Sequence, residues 1–141
     1  MKKNNKGFSL VELIIVIAIM AILAGALAPA LIKYIAKSRR STDVSNAQTI
    51  ATAVTNALSV EAAYDAADAG DYTLSTTKPV AVTGTGAAFT SEVVSQLGSA
   101  AYKLKYDKNE SFMFTLSSDK STFTVTVNGS ELYPDVCAEY K

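Results

Sequence analysis

The chain of 141 residues is 49% hydrophobic and 18% charged, with 13 basic and 13 acidic side chains, one cysteine and no histidine. The missing histidine removes the commonest acid/base group and metal ligand, and a lone cysteine excludes an intrachain disulfide. The zero net charge hides an asymmetry: residues 1–40 hold seven Lys or Arg, whereas residues 41–141 hold six Lys against twelve Asp or Glu, so the C-terminal part carries about −6 and is not a basic surface for nucleic acid.

The first element is a short basic leader, Lys2, Lys3 and Lys6, ending at Gly7. An apolar run of 21 residues follows, Phe8 to Ala28, in which Glu12 is the only charged residue. As a helix rising about 1.5 Å per residue, the run spans a hydrocarbon core roughly 30 Å thick. An acid in such a helix costs about 2.5–3.5 kcal/mol at the bilayer centre and less near an end, so Glu12 needs a partner. Lys6 is one while it remains attached. Cutting after Gly7 creates another, because Phe8 then carries an ammonium group that a neighbouring subunit can also offer.

Basic leader, Gly7, then Phe8-Ser9-Leu10-Val11-Glu12 closely resembles the class III signal of type IV prepilins and pseudopilins. The resemblance covers residues 1 to about 35. It implies that a membrane prepilin peptidase cuts after Gly7 on the cytoplasmic side and methylates the Phe8 amine, and that Glu12 neutralises a neighbour's terminus during assembly. A secretory signal would instead have an h-region of 7–15 residues with the cut behind it. Ala24-Gly25-Ala26 offers such a cut, but the run is too long and Glu12 is unwelcome in it. A plain signal anchor would leave Glu12 without a role, against the rule that intramembrane acids are functional. Basic residues flank both ends of the span, so charge alone does not orient it; the resemblance puts residues 1–7 in the cytoplasm and the head outside.

Ala18, Ala21, Gly25 and Ala28 share one helical face, where small side chains let helices approach, although alanine is also simply common in membrane helices. Pro29 cannot donate to the Gly25 carbonyl and clashes with it, which predicts a kink or local melting over Gly25 to Pro29. The family resemblance implies a segment there that loses regular hydrogen bonding in the assembled filament. Beyond Pro29, Val44, Ala47, Ala51, Val54 and Leu58 form an apolar stripe beside Ile50, predicting an amphipathic continuation. Helix is expected from about Phe8 to Val60, near 80 Å long, with fraying as far as Ala69 and Gly70 closing it.

From Asp71 to Ala88 the Thr, Ala, Gly and Val composition, broken by Pro79, Gly84 and Gly86, predicts a long connection with at most short extended pieces. Thr90 to Leu97 reads as a helix with a Thr or Ser N-cap. Alternation then predicts strands over Tyr102-Leu104-Tyr106, Phe112-Phe114-Leu116 and Phe123-Val125-Val127, with Asn128-Gly129 a type I′ hairpin signal into Ser130 to Tyr133. Their apolar faces would cover the stripe from Val44 to Leu58. The expected class is α+β, a long N-terminal helix with its C-terminal half packed on a small antiparallel sheet, which also resembles the pilin fold. The expected organisation is a leader at 1–7, an assembly half of the helix at 8–32, an amphipathic half at 33–60, and a head at 61–141 with a loop to 100, a sheet at 101–133 and a tail at 134–141.

Asn109-Glu110-Ser111 and Asn128-Gly129-Ser130 match the glycosylation acceptor pattern but lie where turns need Asn. Cys137 is expected to be buried; the disulfide-bounded terminal loop of many Gram-negative pilins is missing. No phosphate loop, Gly-x-Ser-x-Gly or EF-hand spacing occurs, so no enzyme, cofactor or metal is expected. The resemblance implies a structural subunit of a surface pilus, a major type IV pilin, serving adhesion, motility, aggregation or uptake. Its implied partners are copies of itself, prepilin peptidase, minor pilins, an assembly platform with its motor ATPase, and the cytoplasmic membrane that holds the single-pass precursor. A pseudopilin of a type II secretion or competence system is the alternative within the superfamily, and a non-polymerising single-span sensor or binding protein the alternative outside it.

Overall fold

The computed structural model describes residues 7–141; the predicted leader residues 1–6 lie outside them. The chain divides at Ala36 and Lys37 into two compact units. Helix α1, Leu10–Leu58, begins in the first and ends in the second.

In the first unit α1 exposes its apolar side chains all round, from Leu10 at 73% to Ile32 at 67%, as expected of a helix whose solvent is lipid or other helices. The helix runs through Gly25 and Pro29. Helix thus continues across the segment where a kink or local melting was expected: the proline removes one hydrogen bond, and the flanking turns keep the helix.

The second unit, residues 37–141, packs the end of α1 on an antiparallel sheet. Ala47, Ile50, Ala51, Ala53, Val54 and Ala57 are buried, with Val44 and Leu58 half-buried beside them. The stripe thus follows the 3.6-residue period read from the sequence. Helix α1 stops at Leu58, where Val60 turns extended, and a separate short helix α2 follows over Glu61–Ala66. The end of α1 is thus within two residues of the expected Val60, while the frayed stretch expected up to Ala69 holds a separate helix, and Gly70 starts a strand instead of closing a helix.

That strand is β1, Gly70–Leu74; β2 is Val82–Thr83, α3 is Ala87–Leu97, and β3, β4 and β5 are Phe112–Leu116, Phe123–Val127 and Ser130–Tyr133. The sheet order is β2-β1-β3-β4-β5, with every pairing antiparallel. The three predicted strands after residue 111 are present, and Asn128 and Gly129 both take positive φ, as a type I′ turn requires. The expected strand at Tyr102–Tyr106 is irregular chain, and the connection after Gly70 supplies β1 in its place.

Tyr72 of β1 stacks on Phe114 at 4.8 Å between centroids, with Phe89 of α3 edge-on at 5.3 Å. The Tyr72 hydroxyl donates to the Asp68 carbonyl at 2.7 Å and accepts from the Asp68 N–H at 3.1 Å. Each buried aromatic of this kind contributes about 1.5–3 kcal/mol through area removed from water, and the hydroxyl is satisfied at both of its roles. Helix α3 starts three residues before Thr90, on Gly86 in a left-handed conformation, without a side-chain cap; Thr90 Oγ1 donates to the Ala87 carbonyl. Cys137, expected inside, is only half-buried against the core.

Candidate assembly and processing site

Gly7, Phe8 and Ser9 precede α1 in irregular chain, and all three are exposed, Phe8 at 89%. A side chain added at Gly7 would meet nothing within 4 Å. Phe8 and Gly7 are therefore exposed on both sides of the peptide bond that joins them, and no packing among the described residues requires the glycine.

Ser9 is the N-cap of α1. Its Oγ accepts from the Val11 N–H at 3.3 Å, and its own N–H donates to Glu12 Oε2 at 2.9 Å. This is a reciprocal capping box, in which a Ser and a Glu three residues on satisfy two amide donors that the first helical turn leaves free. The Ser9-x-x-Glu12 spacing carries that signal in the sequence, and it adds a capping role for both residues to the charge role expected of Glu12. The carboxylate also lies in the first turn, where the helix dipole favours a negative charge. Its folded-back position beside Ser9 keeps it within one residue of the Phe8 nitrogen along the chain, the atom that would become an amine on cleavage.

Ala18, Ala21, Gly25 and Ala28 are all exposed on α1, and a Cβ at Gly25 would meet nothing within 4 Å. Among the described residues no contact requires the glycine at Gly25. The described residues of this segment thus hold an exposed Gly7–Phe8 bond, a carboxylate held at the helix start and an apolar surface that nothing among them covers.

No curated protein and no solved structure matches the chain. The family model described as the prokaryotic N-terminal methylation motif matches residues 2–28, which takes in Gly7, Phe8, Ser9 and Glu12. The segment that precedes the α+β head therefore matches the class III signal peptide of type IV pilins.

Proposed function

We propose that the chain is the precursor of a structural filament subunit, a major type IV pilin, held in the cytoplasmic membrane with its head outside until assembly carries it to the cell surface. The observation that carries the reading is the methylation motif over residues 2–28 on a helix whose apolar residues from Leu10 to Ile32 are exposed, without a packing partner among the described residues. In the proposed sequence, prepilin peptidase hydrolyses the Gly7–Phe8 amide, leaving a carboxylate on Gly7 and an amine on Phe8 that is then methylated. The cationic terminus of one copy pairs with Glu12 of another in a helical core of low dielectric, where the attraction exceeds its value in water. The apolar residues from Leu10 to Ala28 exchange lipid for neighbouring helices, a transfer between similarly apolar surroundings.

Ala18, Ala21, Gly25 and Ala28 form the close-packing face in this scheme, and the Gly25–Pro29 segment, one hydrogen bond short, is the place where α1 yields in the filament. Partners are other copies of the chain, the peptidase, minor pilins, and an assembly platform whose motor ATPase supplies the work of extraction. The test is the mass of the mature chain together with electron microscopy of host cells with and without it. Loss of residues 1–7, one added methyl group and surface fibres that vanish with the chain are expected. A chain that still begins at Met1 and stays single in the bilayer overturns the reading, whereas a processed chain in cells without surface fibres points to a pseudopilin.

A further inference from the structure

Three of the six lysines after residue 40, namely Lys103, Lys105 and Lys108, line one open cavity of about 330 Å³ together with Thr76 and Leu104, and no carboxylate lines it. In a part of the chain with twice as many acids as bases, this is a local reversal of sign. The neighbouring acids in sequence, Asp107 and Glu110, are not among the lining residues.

The lysines stand on irregular chain that is nevertheless fixed from below. Asp43 of α1, fully buried, accepts from the Lys105 N–H at 2.7 Å and from the Tyr106 N–H at 2.9 Å. Arg40 lies over the Tyr106 ring at 4.3 Å and donates from Nη2 to its hydroxyl at 2.7 Å, while Leu104 is buried. The backbone is thus anchored while the lysine side chains stay exposed around one cavity. Three like charges gathered in this way repel one another, and an anion with several acceptor oxygens relieves that repulsion; ammonium groups act as point-charge binders of phosphate.

Lys37, Arg39 and Arg40 follow closely in the chain on the apolar run that ends at Ala28, and Arg40 is joined to the lysine segment through Tyr106. Basic residues next to a membrane span are drawn to anionic lipid in the leaflet they face, which in the proposed topology is the outer one. We infer that the cavity binds the phosphate headgroup of an anionic phospholipid while the precursor is in the membrane. This rests on the membrane-held precursor proposed above. It gives the head a second, charge-based tether that must let go when the subunit leaves the bilayer.

The test uses the full chain in nanodiscs of phosphatidylcholine, with or without phosphatidylglycerol, and follows amine-reactive labelling of each lysine by mass spectrometry. Phosphatidylglycerol should slow labelling of Lys103, Lys105 and Lys108 about fivefold and leave Lys120 and Lys141 unchanged, and added salt should reverse the effect. In the variant K103Q/K108Q the protection of Lys105 should largely disappear. Equal labelling in both discs overturns the inference. Protection by inorganic phosphate in neutral discs, with none from phosphatidylglycerol, also overturns it by assigning the cavity to a soluble anion. A chain that enters neither disc defeats the membrane reading itself, an outcome separate from a chain that inserts and labels identically.

Discussion

The Ser9 N–H points at Glu12 Oε2 from 2.9 Å, so the single acid of the apolar run already has a partner inside its own chain. The proposed pairing with another copy would therefore have to share one carboxylate with capping of the helix. Glutamine is the discriminating substitution, because its amide oxygen still accepts from Ser9 but carries no charge. Glu12→Gln and Glu12→Ala should both insert in the membrane and both fail to form fibres. Normal fibres from Glu12→Gln, counted by electron microscopy beside the wild type, would leave capping as the residue's whole purpose. Ser9→Ala removes one cap acceptor at about 1 kcal/mol and should reduce fibres without abolishing them.

Asp43 is the one fully buried charged side chain among the described residues, and its two oxygens take the consecutive N–H groups of Lys105 and Tyr106. Asp43→Ala leaves both donors without an acceptor, at roughly 2–5 kcal/mol. Asp43→Asn restores only one acceptor and turns an NH2 toward the other donor, so it should recover less than half of that loss. Urea unfolding of the full chain in detergent measures the size, and hydrogen exchange at Lys105 and Tyr106 should rise before the β3 and β4 amides do. Unchanged exchange at those two amides would contradict the anchoring role.

The same carboxylate explains where sequence periodicity misled. Tyr102, Leu104 and Tyr106 alternate like a strand, but successive N–H groups of a strand point to opposite sides, and here those of Lys105 and Tyr106 converge on one side chain. A tertiary partner 62 residues away in sequence overrides the local pattern. Strand β1 failed in the other direction: Gly70-Asp71-Tyr72-Thr73-Leu74 has only two apolar residues and an acid, and it forms because Tyr72 pairs with Phe114 and stacks on it. The β3–β5 strands and the buried stripe of α1 were legible because their own residues carry the period and the turn chemistry. At the N-terminus Glu12 stood out as the lone charge in an apolar run and Gly7 and Phe8 through the prepilin resemblance, while Ser9 looked like any small polar residue until its bond to Glu12 was visible.

Acid stability should depend on the β3–β4 turn. Asp119 accepts hydrogen bonds from the Ser117 and Ser121 hydroxyls, both at 2.6 Å, and from the Ser121 N–H, which lower its pKa from 3.8 to about 2. A depressed carboxyl contributes stability that is present above its unfolded value and is lost as pH falls through the folded one. The contribution of Asp119 therefore fades between about pH 4 and about pH 2. Asp119→Asn should flatten the acid limb of a Tm-against-pH curve in that window and leave the slope near neutrality alone.

At the alkaline end the sign reverses. Burial, followed by the charges of Asp43, Glu139 and Asp107, pushes the Tyr140 hydroxyl from 10.0 up to about 12. A raised pKa means that the folded chain holds its proton longer than the unfolded one, so stability is fully present below about pH 10 and is lost as pH rises through about 12. Tyr140→Phe keeps the ring that meets Tyr106 edge-on at 5.7 Å and removes the ionisable group. It should therefore hold its Tm further into alkali than the wild type, and a mutant that falls in parallel with the wild type would show that other tyrosines set the limit.

The start of α3 depends on a backbone shape that only glycine adopts cheaply. Gly86 has φ +82°, and a Cβ placed on it would collide with the Ala66 carbonyl oxygen at the end of α2. Gly86→Ala thus meets two costs, the left-handed conformation at about 1 kcal/mol and a clash with main chain that cannot swing away, which adds roughly 1–3 kcal/mol. Gly84→Ala meets only the second, against the ring of Tyr72, and that ring is locked in its stack with Phe114. Both variants should unfold at lower urea concentration than the wild type. Gly129→Ala is the control for conformation alone, since φ there is +79° but a Cβ would find open space. A Gly86→Ala loss no larger than that of Gly129→Ala would mean that the close approach of Gly86 to Ala66 adds nothing beyond the turn itself.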